Sequence, residues 1–235
     1  MADHQTRPSR VIEQFIALFQ QMQKLAQKAR HQDVITLIQA DPHLTQLQRH
    51  VFNELIYDQP SSFSLAHDEL TGLLLRSSLL ECLNKALVDV RLRGNYLAVC
   101  FIDLDGFKEI NDQHGHLIGD QALRLVSGCL KNSVRSGDLL CRWGGDEFIV
   151  VMQDINQKDF VLDLADRLLN AISSPLRLSA DDPLTLFLGA SIGVSVVGPA
   201  NCHQDQDALA LIESADEAMY LAKQAGKNRL KFSAV

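Results

Sequence analysis

The chain has 235 residues, 46% of them hydrophobic, and a formal net charge of −7. This length can bury one full hydrophobic core and leaves room for a smaller second unit. The acidic balance argues against sequence-independent binding to nucleic acid, which needs a concentrated basic surface.

The cysteines and the apolar segments indicate in which cellular compartment the protein is found. The five cysteines are scattered and form no CxxC pair, which is typical of reduced thiols rather than of disulfides or a zinc site. The N-terminal residues lack the apolar segment of a signal peptide, and no apolar run reaches the roughly 18 residues that span a bilayer. We therefore expect a cytoplasmic protein that binds neither nucleic acid nor membrane.

Residues 1–60 are rich in Gln and His and contain no glycine. Apolar residues at alternating spacings of four and three, such as Val11, Phe15, Leu18, Met22 and Leu25, predict two or three helices. Two interpretations of this N-terminal helical region remain open: a hairpin that packs on the main domain, or a dimerisation or sensory element. The Pro- and Ser-containing stretch that follows predicts a linker at residues 61–67.

From Asp68 to the C-terminus, helical and strand-like segments alternate. The predicted helices include "SSLLECLNKALVDVRLR", "DQALRLVSGCLKNSV", "QKDFVLDLADRLLNAI" and "DALALIESADEAMYLAKQA". The predicted strands include "YLAVCFID", "DLLCRW", "EFIVVMQ", "LTLFLGASIGVSVV" and "RLKFSAV", and Gly189 and Gly193 predict a bulge or a close backbone approach. Because "DLLCRW" and "EFIVVMQ" flank two glycines, they predict a hairpin, and the whole pattern predicts an α/β fold with a mixed sheet covered by helices.

Two acids lie beside the glycines of that hairpin, in "GGDEF". Asp103 ends the buried strand "YLAVCFID", so it can approach Asp146 if this strand pairs beside the hairpin. Two carboxylates this close repel each other unless a cation lies between them. Hard oxygen ligands with open coordination positions suit Mg²⁺, and Gly144 and Gly145 allow a nucleotide to approach the backbone.

Each of these features alone has a simpler explanation. Gly-Gly-Asp sequences are common at hairpin tips, and Asp103 could begin the helix "GFKEIND". Their combination favours a site.

Residues 68–235 resemble the GGDEF family of diguanylate cyclases. "RWGGDEF" is similar to the family signature, and "DELTGLLLR" resembles the motif D-x-L-T-G-L-x-N-R at the start of the family's domain. "FIDLDGFKEINDQHGHLIGDQAL", "SIGVS" and "ADEAMYLAKQAGKNR" resemble further blocks of the family, in the same order. Leu75 departs from this pattern, because the family usually has Asn there.

The resemblance implies a fold and a reaction. The fold is a mixed, mainly antiparallel five-stranded sheet wrapped by helices, akin to the palm of polymerases. In the reaction, two GTP molecules condense to cyclic di-GMP and release two pyrophosphates. Since one domain binds one GTP, the resemblance also implies a homodimer.

The resemblance assigns roles near the glycine hairpin. Asp103, Asp146 and the Leu104 carbonyl are the implied ligands of Mg²⁺, with Mn²⁺ as a substitute. Asp146 or Glu147 helps to deprotonate the 3′-hydroxyl, with Asp146 favoured by its place in the family motif, and Lys108 stabilises the phosphoryl charge.

Further residues are implied to bind GTP. Phe107, Asn111, His116 and Asp120 form the guanine pocket, in which a carboxylate can accept two hydrogen bonds from guanine but none from N1 of adenine. Asp120 also has a structural interpretation, as the N-cap of the helix "QALRLV". Lys223 and Lys227, four residues apart near the end of a predicted helix, contact the triphosphate or simply complement the helix dipole.

The sequence "RSGD" places Arg135 and Asp138 in an R-x-x-D pattern before the hairpin. It resembles the site at which the family's product inhibits the enzyme, although a solvated pair in a loop would give the same pattern.

Three functions follow in order of preference. The first is an active diguanylate cyclase. The second is a catalytically silent module that binds cyclic di-GMP or GTP and signals to a partner, and the third is a cyclase of adenine-containing dinucleotides, against which Asp120 argues.

Overall fold

The computed structural model describes residues 65–157, 159–178, 184–198, 200, 202 and 207–233. The predicted N-terminal helical region and most of the predicted linker lie outside these residues. The boundaries proposed for the two regions therefore stay predictions.

The described residues form five helices and eight strands. The helices are α1 (Arg76–Arg93), α2 (Phe107–His114), α3 (His116–Ser133), α4 (Asp159–Ser173) and α5 (Ala208–Gln224). The strands are β1 (Leu74–Leu75), β2 (Tyr96–Asp105), β3 (Leu139–Gly144), β4 (Glu147–Ile155), β5 (Leu176–Arg177), β6 (Thr185–Leu186), β7 (Gly189–Val197) and β8 (Arg229–Phe232). None of the described helices is both long enough and apolar enough to cross a bilayer.

Six of the strands form one mixed sheet in the order β1-β3-β4-β2-β7-β8, and β5 and β6 form a separate pair. The three central pairings are antiparallel, whereas β1–β3 and β7–β8 are parallel. The predicted fold class and the predicted hairpin are confirmed. The sheet has six strands rather than the predicted five. Strand β1 was not predicted because its two residues are too few to give a periodic pattern.

The apolar sequence of β2 reflects burial on both faces of the sheet. Side chains of a strand alternate between faces, so Ala98, Cys100 and Ile102 join the core under α3 and α4. Leu97, Val99 and Phe101 join the opposite core, under α1 and α5. β2 is thus the central strand of a three-layer domain, and its end is held between two cores.

Helix α5 packs directly on the backbone of β7. A β-carbon at Gly193 would collide with the Ala215 carbonyl oxygen and the Met219 amide nitrogen. The close approach predicted at Gly193 is therefore present, and it fixes the distance of α5 from the sheet.

Candidate active site

The end of β2 lies against the start of β4. Asp103 pairs with Glu147 on one side and with Ser191 of β7 on the other. The Leu104 amide donates to the Asp146 carbonyl at 3.3 Å. The strand therefore pairs beside the hairpin as predicted, and this pairing brings the three predicted acids to one place.

The hairpin turns in two residues and leaves its glycines open. Gly144 pairs with Glu147 across the turn, and Gly145 adopts a φ of 45°, which glycine tolerates best. A β-carbon at Gly145 would meet no atom within 4 Å, and one at Gly144 would meet only the Glu147 carboxylate at 3.8 Å. Both glycines are exposed, so the tip has room for a ligand.

Arg142 and Trp143 anchor the base of the hairpin. Arg142 donates to the Gly145 carbonyl from Nε and Nη2 at 3.0 and 2.8 Å. Trp143 packs edge-on against Phe101, and the Arg76 guanidinium lies 4.1 Å from the centre of the indole ring. Leu75, the departure from the family pattern, pairs with Arg142 in the β1–β3 ladder.

The carboxylates of this site perturb one another. Burial raises the pKa of Asp146 above its ordinary value, and the nearby Asp103 carboxylate adds to the rise. Burial also raises the pKa of Glu147, again with a contribution from Asp103. Lys223 opposes both shifts, so the site combines excess negative charge with one close lysine.

That lysine forms an ion pair with Asp103. Nζ of Lys223 lies 2.7 Å from Oδ2 of Asp103, whose side chain is only 13% exposed. Lys223 lies in the last turn of α5, which the contact at Gly193 holds close to the sheet. The structure thus places Lys223 at the predicted acids.

Lys227 lies just after the end of helix α5. Helix α5 ends at Gln224, and Lys227 follows in a turn with a φ of 61°. Its amide donates to the Ala222 carbonyl at 3.1 Å and closes the helix end. Lys223 therefore lies in the last turn of α5 and Lys227 in the turn that follows it.

Helices α2 and α3 bring together part of the predicted guanine pocket. Phe107 and Asn111 lie on α2, and both would contact a β-carbon at Gly119, the neighbour of Asp120 on α3. Asp120 is partly buried in the second turn of α3, because this helix already begins at His116. Its interpretation as an N-cap is therefore wrong. Lys108 and His116 are exposed at the starts of the two helices.

Arg135 and Asp138 close a tight turn before β3. The Arg135 amide donates to the Asp138 carboxylate at 2.9 Å, and the Asp138 amide donates back to the Arg135 carbonyl at 3.0 Å. Both residues line a cavity of about 160 Å³ between this turn and α4. Arg167 of α4 lines the same cavity, so two arginines line it.

Sequence reasoning missed three residues. Arg142 carried no local signal for its partner Asp68, and Arg167 carried none for the Ser133 carbonyl, because both partners lie far away in the sequence. Asp216 did carry a local signal. It precedes Lys223 by seven residues, which is about two helical turns, so the two residues lie on the same helix face. Burial raises the pKa of Asp216, which Lys223 lowers and Asp103 raises, so it belongs to the same electrostatic cluster.

The donor set fits a hard divalent cation. Asp103 and Asp146 supply carboxylate oxygens, and the Lys223 ammonium group already places one positive charge against Asp103. Across the described ranges, no group of three or more His, Cys, Asp and Glu side chains is arranged to hold a metal ion. Two carboxylates leave several positions for a substrate's phosphates, which is how Mg²⁺ is commonly bound.

The domain is thus a mixed sheet that places carboxylates beside an open glycine hairpin. The family model "Diguanylate cyclase, GGDEF domain" matches residues 65–229. The chain belongs to this GGDEF family.

Individual relatives agree with this assignment. The chain is 32% identical to diguanylate cyclase DosC of Escherichia coli K12 over 223 residues, which are 95% of this chain and 47% of DosC. It therefore spans about half the length of that relative. It is 37% identical over 183 residues to the cyclic di-GMP phosphodiesterase NbdA of Pseudomonas aeruginosa, covering 77% of this chain and 22% of NbdA.

A solved structure gives the same fold. The GGDEF domain of TpbB from Pseudomonas aeruginosa superposes with a TM-score of 0.66 at 35% identity, over 72% of this chain and 95% of that domain.

Proposed function

We propose that this protein is an active, dimeric diguanylate cyclase that condenses two GTP molecules to cyclic di-GMP. The observation that carries the proposal is the pairing of Asp103 with Glu147 beside an open Gly144–Gly145 tip. An intact acid set next to room for a nucleotide favours catalysis over binding alone.

In the proposed reaction, each 3′-hydroxyl attacks the α-phosphorus of the other nucleotide. The new bond joins the 3′-oxygen to phosphorus, the bond to the β-phosphate oxygen breaks, and pyrophosphate leaves. The hydroxyl proton passes to Asp146, which lies beside Asp103 at the hairpin. Glu147, which pairs with Asp103, is the second candidate for this proton.

Asp103, the Leu104 carbonyl and Asp146 would hold Mg²⁺, or Mn²⁺ in its place. When bound, the ion neutralises phosphate charge and activates the attacking oxygen. Lys108 and the two lysines Lys223 and Lys227 contribute further positive charge toward the phosphates.

The guanine base would lie between α2 and α3. Phe107 and Asn111 line one side, Asp120 accepts from the N1–H and the exocyclic amine, and His116 lies at the exposed end of the pocket. ATP would leave the Asp120 carboxylate without these donors, which is costly for a partly buried acid.

Two further parts of the proposal concern assembly and control. One domain binds one GTP molecule and has one set of acids, so two copies must face each other to join two nucleotides. Arg135 and Asp138 would bind cyclic di-GMP as an inhibitor, and Arg167 is added to them because it lines the same cavity. Arginine suits both phosphate and a guanine edge.

A second candidate is a silent module that binds cyclic di-GMP or GTP and signals to a partner. It is favoured by the 37% identity to NbdA, whose name denotes a phosphodiesterase.

Chromatography of the products formed from GTP and Mg²⁺ separates the two candidates. We expect cyclic di-GMP from the wild type and from Asp89→Ala, which removes a half-exposed carboxylate on α1. We expect none from Asp146→Ala. A folded wild type that binds cyclic di-GMP but forms no product would favour the silent module.

A further inference from the structure

Lys223 neutralises the carboxylate that the proposed function assigns to the metal. Its Nζ lies 2.7 Å from Oδ2 of Asp103. The side chain of Asp103 is 13% exposed and that of Lys223 is 33% exposed, so the pair lies largely inside the site.

Lys223 also acts on the other acids of the site. Its charge also interacts with those of Asp146, Glu147 and Asp216. Arg142 acts on Asp146 as well, but its guanidinium already binds Asp68 and the Gly145 carbonyl. Lys223 is therefore the described cation whose charge all three acids share.

The helix that carries Lys223 is held against the sheet, whereas the Lys223 side chain is long and has several rotatable bonds. Helix α5 cannot move toward the sheet because Ala215 and Met219 lie in contact with Gly193. The ammonium group sits on a flexible four-carbon chain and can change partners without moving the helix.

We propose that Lys223 occupies the cation position of Asp103 in the free protein and exchanges this carboxylate for the triphosphate when a metal–nucleotide complex binds. This role rests on the proposed function and goes beyond a phosphate contact. A divalent cation alone must displace the ammonium group from Asp103 and brings no anion of its own to receive it. The metal–nucleotide complex brings both a cation for Asp103 and a polyanion for Lys223, so metal and nucleotide should bind cooperatively.

Mn²⁺ titration followed by electron paramagnetic resonance tests this exchange in the full chain, because free and bound Mn²⁺ differ in signal. Without nucleotide, Lys223→Met should bind Mn²⁺ about fivefold or more tightly than the wild type, since a close opposite charge has been removed. With a non-hydrolysable GTP analogue, the same variant should bind the analogue more weakly. A merely structural role of Lys223 would weaken both.

Two further variants complete the design. Lys231→Met removes an exposed lysine of β8 that has no role in the proposed site. It should leave the affinity for Mn²⁺ alone unchanged. Lys223→Arg keeps the charge and should keep the weak Mn²⁺ binding of the wild type.

Unchanged, weaker or absent Mn²⁺ binding by Lys223→Met would overturn the exchange. Product formation is measured separately, so this failure is distinct from a failure of the proposed function. A wild type that makes cyclic di-GMP while Lys223→Met binds Mn²⁺ no more tightly would retain the cyclase and reject the exchange.

Discussion

Arg142 forms an ion pair with Asp68, 74 residues earlier in the chain, and binds the Gly145 carbonyl with the same guanidinium group. Nη1 lies 3.2 Å from both carboxylate oxygens of Asp68, and Nη2 lies 2.8 Å from the Gly145 oxygen. Burial would raise the pKa of Asp68, but hydrogen bonds from Thr71 and the Arg142 charge outweigh it and lower that pKa. The start of the domain is thus tied to the hairpin that carries Asp146.

Arg142→Lys should therefore impair catalysis more than folding. Lysine keeps the charge but cannot bind Asp68 and Gly145 together, because it lacks the planar fork of donors. We expect kcat to fall about tenfold, since the hairpin loses its orientation, and the free energy of unfolding to fall by about 1 kcal/mol. Steady-state kinetics and urea unfolding measure the two effects. Arg93→Lys, in an exposed pair with Asp89, is the control and should change neither. Equal kinetics for Arg142→Lys and the wild type would contradict this role.

Asp146→Asn should stabilise the fold while abolishing turnover. A raised pKa means that the folded chain binds the proton more tightly than the unfolded chain does. The Asp146 carboxyl therefore favours folding at acidic pH, and this contribution is lost as the pH rises through the folded pKa. At pH 7 the ionised carboxylate opposes folding, so its removal should raise the free energy of unfolding by up to about 1 kcal/mol.

Urea unfolding of Asp146→Asn and the wild type at pH 7 and at pH 4 checks the direction of this change. The gain in the free energy of unfolding should shrink at pH 4, where protonation relieves the same repulsion in the wild type. Asp89→Asn removes a carboxylate that has an exposed arginine partner and should give no gain. A loss of stability in Asp146→Asn at pH 7 would be the contrary result.

Gly193→Ala should displace helix α5 and with it Lys223. The added methyl group would collide with backbone atoms of Ala215 and Met219, which cannot move as a flexible side chain can. We expect a loss of about 1–3 kcal/mol in the free energy of unfolding, the usual cost of overpacking, together with reduced turnover. The matched control is Gly128→Ala in α3, where a β-carbon meets nothing within 4 Å. It should stabilise by about 0.5–1 kcal/mol, since alanine favours helices. Similar effects of the two substitutions would refute the close-packing argument.

Asp120→Asn should relax the choice between GTP and ATP. The amide can no longer accept two hydrogen bonds from guanine, and an unpaired charge no longer penalises adenine. We expect the preference for GTP, expressed as a ratio of kcat/KM values, to fall about 100-fold. Asp112→Asn, an exposed acid on α2, should keep the preference. An unchanged preference in Asp120→Asn would place guanine recognition elsewhere.

The sequence predicted those parts of the fold that local patterns determine. The unbroken apolar run of β2 indicated burial on both faces, and the glycines between two apolar runs indicated the hairpin. The sequence placed Asp103 beside that hairpin on the condition that its strand pairs with the hairpin. The pairing of β2 with β4 meets this condition.

The positions and partners of several site residues depend on long-range contacts and on helix ends, which local sequence patterns do not predict. Asp103 and Asp105 look equivalent in "IDLD", yet Asp105 accepts hydrogen bonds from Ser191 and from the Asn228 amide and so holds the C-terminal turn. Asp120 looked like an N-cap, but Gly115 ends one helix and the next begins at His116. Lys227 was expected near the end of a helix, and it lies in a turn at positive φ after that end.

The central claim is that two copies of this domain join two GTP molecules through Asp146. It is tested most directly by the rate of cyclic di-GMP formation per amount of protein, measured across a wide range of protein concentration for the wild type and Asp146→Ala. We predict a wild-type specific activity that rises with concentration and then levels off as the dimer forms, and no product from Asp146→Ala. Product from Asp146→Ala at the wild-type rate, or no product from the folded wild type at any concentration, would contradict the account.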